Sequence, residues 1–197
     1  MKNILIIGAY GQIAQYATDL FLERTDAHLT LYLRHAKRLQ QRKDNNRITI
    51  IEGDATDTNK LSQAMIGQDV VYANLSGDMK AQAQAIIAAM NNHDIRRLIF
   101  ISSMGIYGEI PGQNYNPVLN PYRDSAALIE QSGLDYTIIR PEWLNDNDEI
   151  HYGTTQRNEP FKNANATVSR KSVADLIVKL ATTPNFGIQQ SLGVHHL

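Results

Sequence analysis

The sequence predicts an α/β fold, a doubly wound parallel sheet with helices on both faces, and three observations carry that expectation. Short apolar runs recur along the chain, each followed by a segment with helical spacing. The runs are nearly all apolar rather than alternating, as strands covered on both faces require. At 197 residues the chain suits one compact domain spanning 1–197, with no linker, repeat or low-complexity tract to divide it.

The strands are expected at Ile4 to Ile7, Leu29 to Leu33, Ile48 to Ile51, Val70 to Ala73, Leu98 to Ile101 and Tyr136 to Ile139. Parallel neighbours need crossovers, and Gln12 to Arg24, a short basic segment Ala36 to Lys43, Thr58 to Met65, Met79 to Asn92 and Pro121 to Ser132 supply them. The expected strand order is 3-2-1-4-5-6. Gly133 stops the fifth crossover, and Ser169 can cap a final helix over Arg170 to Ala181 that sets Val173, Leu176, Ile177 and Leu180 on one face. Between Pro141 and Ala166 the pattern fails, and a polar, Gly- and Asn-rich stretch reads as loop. The tail Ile188 to Val194 is a candidate last strand.

Composition narrows the function. Nineteen Lys and Arg against twenty Asp and Glu leave a net charge of -1, which argues against nucleic acid as a partner. There is no cysteine, so disulfides, thiolate metal sites and a cysteine nucleophile are excluded. The first apolar run stops at Gly8 and no later stretch approaches membrane-spanning length, so a cytoplasmic protein with no membrane partner is expected. Asn145 to His151 is rich in oxygens but lacks the glycine and terminal glutamate of a calcium loop, and the histidines show no ligand spacing, so no metal is expected. His195 and His196 read as incidental. No motif speaks to oligomeric state.

The segment Gly8-Ala9-Tyr10-Gly11-Gln12-Ile13-Ala14 falls between the first strand and the first helix. Gly8 and Gly11 allow a tight turn and close backbone approach, and the free amides and positive end of a helix starting at Gln12 and Ile13 suit a pyrophosphate. A Rossmann-like, dinucleotide-binding fold follows from that placement. Proteins of this kind that prefer NAD usually end the second strand in a carboxylate. Here that strand ends in Arg34, and residues 34 to 43 hold Arg34, Lys37, Arg38, Arg42 and Lys43 with no acidic residue, which suits the 2'-phosphate of NADP(H).

Taken with GDATD at 53 to 57, GQDVVYANLSG at 67 to 77, ISSMGIYG at 101 to 108, SGLDYTIIRPEWL at 132 to 144 and VSRKSVADLI at 168 to 177, these pieces resemble the atypical short-chain dehydrogenases/reductases of the NAD(P)H-binding, NmrA-like group. In length and layout the chain is also similar to the flavin and biliverdin reductases. The resemblance implies a cofactor contact set of Gly8, Tyr10, Gly11, Gln12, Ile13 and Arg34, with Asp54 and Ala55 beside the adenine and Asn74 and Leu75 along the ribose and pyrophosphate. It places Pro141 to Leu144 beside the nicotinamide. From the residues alone, Asp54 is equally a turn residue next to Gly53.

Typical members protonate a substrate carbonyl with a Tyr-x-x-x-Lys pair. This chain lacks it: four positions after Tyr107, Tyr115 and Tyr122 stand Pro111, Leu119 and Ala126. The catalytic candidates are therefore Ser103, in the place of the family's serine, and Tyr107 in the same loop, although a Ser-Ser pair at a strand end also suits ordinary edge hydrogen bonding. The expected function is an NADPH-dependent reductase that passes hydride to a small-molecule acceptor, flat and conjugated, such as a flavin or quinone. The competing expectation is a non-catalytic NADP(H)-binding regulator or redox sensor. Residues 107 to 120 and 141 to 166 are expected to form the substrate-facing portion.

Overall fold

The computed structural model describes all 197 residues. Ten strands and five α-helices follow one another as β1 (Asn3–Ile7), α1 (Gln12–Arg24), β2 (His28–Leu33), β3 (Ile48–Glu52), α2 (Thr58–Met65), β4 (Val70–Ala73), α3 (Met79–Asn92), β5 (Arg97–Ile101), α4 (Asn120–Gln131), β6 (Asp135–Pro141), β7 (Trp143–Asn145), β8 (Gly153–Thr155), β9 (Thr167–Ser169), α5 (Arg170–Thr182) and β10 (Gln190–His195). The main sheet has the order β3-β2-β1-β4-β5-β6-β10-β8, which contains the expected 3-2-1-4-5-6 core. It is parallel from β3 to β10, and β8 alone runs antiparallel.

The apolar strands are explained by what covers them. Ile4 and Ile6 of β1 pack into a cluster with α1 and α5, while Leu5 and Ile7 pack into a second cluster with α2, α3 and α4. Successive strand residues point to opposite faces, so a strand with a helix layer on each side must be apolar at every position. The helix starts are equally local. Asp57, Asp78 and Ser169 accept from backbone amides three residues ahead and cap α2, α3 and α5.

Three details differ from expectation. The basic segment after β2 is a 3-10 turn over Ala36–Arg42, not an α-helix, because Leu39 is its one buried side chain and departs from helical dihedrals. The tail strand is present but covers Gln190–His195, parallel to β6 with Gly193 opposite Arg140. The stretch read as loop contains β8, which extends the sheet beyond β10, and β7 and β9, which pair with one another. Each is three residues long, too short for a period to show.

Strand order reverses between β1 and β4, the place where ligands bind at the carboxyl ends of such sheets. The chain leaves that edge at Gly8, Arg34, Gly53, Asn74, Ser102 and Glu142, one residue after each of the six central strands.

Candidate functional site

At the switch point Gly8 has a φ of +78° and its amide donates to the Tyr32 carbonyl, while the Gly11 amide donates back to Gly8. Asn74 presses on this turn from β4. A Cβ on Gly8 would lie 2.1 Å from the Asn74 carbonyl oxygen, and one on Gly11 would lie 1.8 Å from Asn74 Nδ2. The glycine pair is therefore required by the approach of β4 as well as by any ligand. Beyond it α1 starts with no side-chain cap and no carboxylate in its first turn, which leaves its leading amides for an anion.

A cavity of about 250 Å³ opens beside this turn. Gly8, Tyr10, Gly11, Arg34, Asp54, Ala55, Asn74 and Leu75 line it, so the structure brings together eight of the residues expected to hold the cofactor. Arg34 is exposed and forms no ion pair with protein. Arg38 joins it, its guanidinium 4.9 Å from the centre of the Tyr10 ring. The basic run divides here: Arg42 turns away to Asp19 at 2.6 Å, and Lys37 and Lys43 do not reach the cavity.

The opposite wall is set by Tyr32. Its ring lies where a Gly53 side chain would be, and its hydroxyl donates to the Asp54 carbonyl at 2.8 Å. Burial, with Asp57 and Asp54 nearby, pushes that phenol up to about 12, so it remains a donor. The Asp54 carboxylate accepts from the Thr56 amide at 2.9 Å and hydroxyl at 2.7 Å. Those bonds, helped by Arg34, hold it below the usual carboxylate range. Asp54 is thus a turn residue and a wall of the cavity together, with Oδ1 taken by Thr56.

Gln12 and Ile13 face a second cavity, of about 460 Å³, which shares Asn74 and Leu75 with the first. The two are ends of one groove. At this far end Ser103 meets Tyr122 of α4, the segment Pro141 to Leu144, and Arg170 at the start of α5. Ser103 donates to the Met104 carbonyl at 3.1 Å.

Tyr107 does not join Ser103. Its hydroxyl donates to Glu130 at 2.7 Å and lies 3.1 Å from Ser191 Oγ, and its ring lies between the guanidinium groups of Arg140 and Arg157. Burial and the Glu130 carboxylate raise its pKa well above the ordinary phenol value, so it is a fixed donor, not a proton exchanger. It lines a separate depression with Glu109, Glu130 and Arg157. Beneath it Arg140, fully buried, pairs with Glu109, whose carboxylate also accepts from the Gly105 and Tyr107 amides. This network folds the 105–112 loop onto β6. The two catalytic candidates thus line different cavities, and the phenol that shares the Ser103 cavity is that of Tyr122. Its signal was its place in the first turn of the fifth crossover helix, which a search for a lysine four residues later passes over.

Glu142 is 3% exposed, and Oε1 accepts from the His196 amide at 2.7 Å. Oε2 has no partner. Burial raises the pKa of this carboxyl, against smaller lowering by His195 and His196. Ser102 Oγ and Arg170 Nε, in the same cavity, are also buried without partners, while Arg170 Nη1 pairs with Asp146 at 2.9 Å. Nothing in the sequence marks His196 as the anchor of Glu142. In the 145–151 stretch Asp146 pairs with Arg170 and Asp148 with Lys171, and no three metal-binding side chains gather anywhere. No helix is long and apolar enough to cross a membrane.

Residues 8–184 match the NAD(P)H-binding family. A Rossmann-fold NAD(P)-binding family protein from Shigella flexneri is 43% identical over 100% of this chain and 94% of its own, with a TM-score of 0.88. A short-chain dehydrogenase/reductase from Veillonella parvula DSM 2008, solved in complex with NADP, is 31% identical over 99% of this chain and 94% of its own, with a TM-score of 0.89. A Bacillus subtilis (strain 168) protein described as an uncharacterized sugar epimerase is 26% identical over 192 residues, 89% of this chain and 86% of its own.

Proposed function

Because the chain belongs to the NAD(P)H-binding family of Rossmann-fold oxidoreductases, we propose that it is an NADPH-dependent reductase that passes hydride to a flat conjugated acceptor, a flavin, quinone or similar compound. The observation that carries the proposal is the continuous groove across the switch point. Arg34 and Arg38 stand at one end with neither ion-paired to a carboxylate, the uncapped α1 lies at its middle, and Ser103, Tyr122 and the exposed ring of Trp143 stand at the other.

In this reading Arg34 and Arg38 bind the 2'-phosphate, and Asp54 and Ala55 border the adenine. Asn74 and Leu75 follow the ribose, and Gly8, Tyr10, Gly11, Gln12 and Ile13 receive the pyrophosphate. When bound, the reduced cofactor supplies a hydride at nicotinamide C4. Trp143, 66% exposed at the mouth, offers a flat apolar platform to a planar acceptor, and Ser103 and Tyr122 orient its polar edge. The relative solved with NADP supports the cofactor. Residues 107–120 and 141–166 then divide: the second segment reaches the groove at Pro141 to Leu144, whereas most of the first faces the depression around Tyr107. The test is NADPH oxidation with menadione and FMN as probes. Tight NADPH binding with no turnover of either would favour the sensor reading.

A further inference from the structure

We propose that Glu142 is the acid that delivers a proton to the acceptor as hydride arrives, the role that the missing Tyr-x-x-x-Lys pair leaves open. The inference rests on the reductase reading above. Glu142 follows β6 and faces the cavity that also holds Ser103 and Tyr122. The His196 amide fixes Oε1, so the carboxyl cannot turn away, and Oε2 is left buried with no protein partner. An anchor for the C-terminal strand needs only the first oxygen. The second is explained if its O–H is aimed at a ligand, since a buried ionised carboxylate with one bare oxygen is costly.

The surroundings favour the acid form. Ser102 and Ser103 are the neighbours from β5, and both are neutral. Arg140, two residues back on β6, is neutralised by Glu109, and Arg170 across the cavity pairs with Asp146 and not with Glu142. From the tail, His195 and His196 oppose protonation of Glu142 only when they are themselves charged, and Glu149 lies 3.9 Å from His196. Burial outweighs them.

The step balances. Hydride bonds to the acceptor with its own electron pair, and a π pair of the acceptor moves onto an acceptor oxygen or ring nitrogen. The Glu142 Oε2–H bond breaks, the proton binds to that atom, and water later returns a proton to the carboxylate. The acceptor gains two electrons and two hydrogens, with NADPH as reductant.

Glu142→Gln tests this, because its amide oxygen can still accept from His196 while its amide cannot act as an acid. NADPH affinity, read by nicotinamide fluorescence, should be unchanged, and menadione turnover should fall by roughly 10² or more. In the unmodified protein kcat should decline as pH rises through the carboxyl titration, and that limb should vanish in Glu142→Gln and persist in Glu142→Asp. An infrared difference between the unmodified protein and Glu142→Gln, both with NADP, should show a protonated carboxyl at neutral pH. An ionised carboxyl there, or turnover that survives Glu142→Gln, overturns the inference alone. If the unmodified protein binds NADPH but reduces neither menadione nor FMN, the reductase reading falls and takes this role with it.

Discussion

The two ends of the groove differ in how the chain assembles them. The lining of the first cavity comes from residues between 7 and 82, most of them in the turns just after β1, β2, β3 and β4. The far cavity gathers Gln12, Ser103, Tyr122, Glu142 and Arg170 from α1, the turn after β5, α4, the end of β6 and α5, and its key carboxyl is held by the amide of the penultimate residue, His196. The first end depends on local turn geometry. The second depends on tertiary packing, so changes in the scaffold should reach it from a distance.

The sharpest way to break this contrast is through the buried Arg140–Glu109 pair, which serves the far half alone. Arg140→Met leaves Glu109 buried beside two backbone amides with no counter-charge, and should cost about 3–5 kcal/mol. Denaturant unfolding should show the loss. Amide exchange should loosen 105–112 and β10 first, with the turn at Gly8 still protected. Equal loosening of both regions would erase the distinction.

Gly8→Ala probes the other end. The new Cβ meets the Asn74 carbonyl oxygen, a backbone atom, in a left-handed conformation. Overpacking and strain together should cost about 2–4 kcal/mol and abolish NADPH binding. Gly11→Ala is milder in stability because it meets a side-chain amide that can rotate. Moving Asn74 should still weaken NADPH. If Gly8→Ala retains normal thermal stability, β4 does not crowd the turn as described.

How much of each end was legible in sequence follows from the same difference. Gly8, Gly11, Arg34, Asp54 and Asn74 each follow an apolar run, so strand, turn and ligand-facing residue are read together. Arg38 was visible only as one cation among five, because its reach depends on a 3-10 turn that no periodicity announced. Tyr107 misled, since its place one turn after Ser103 says nothing of the partners, Glu130 and Ser191, that come from 23 and 84 residues away. Short β7, β8 and β9 escaped for want of a period, and with them the frame that brings Arg170 near Glu142. The sheet itself was readable because six apolar runs repeat one physical requirement.

Arg34→Ala sharpens the cofactor end with a smaller effect. A charge-assisted contact to the 2'-phosphate should be worth roughly 10- to 150-fold in NADPH affinity, with NADH binding unchanged. Arg38→Ala should cost less, because its guanidinium is already placed against Tyr10. Calorimetry with both cofactors checks this, and equal NADPH and NADH affinities in the unmodified protein would remove the 2'-phosphate from the account.

The smallest expected effect is the most discriminating, because Tyr107 lies in the far half without lining the groove. Tyr107→Phe removes the bond to Glu130, yet Arg157 still pairs with that carboxylate at 2.8 Å and the ring keeps its place between two guanidinium groups. Stability should fall by about 1 kcal/mol, the usual worth of one hydrogen bond. Menadione turnover should stay within about tenfold, a change of at most ~1.4 kcal/mol in the barrier, because the phenol holds a loop and does not touch the acceptor. Tyr122→Phe, by contrast, alters a side chain inside the cavity and should raise the KM for menadione more than Tyr107→Phe does. Were Tyr107→Phe to destroy turnover while NADPH affinity and thermal stability stayed normal, the loop would have to reach the reacting atoms. The division of labour between Tyr107 and Tyr122 would then be reversed.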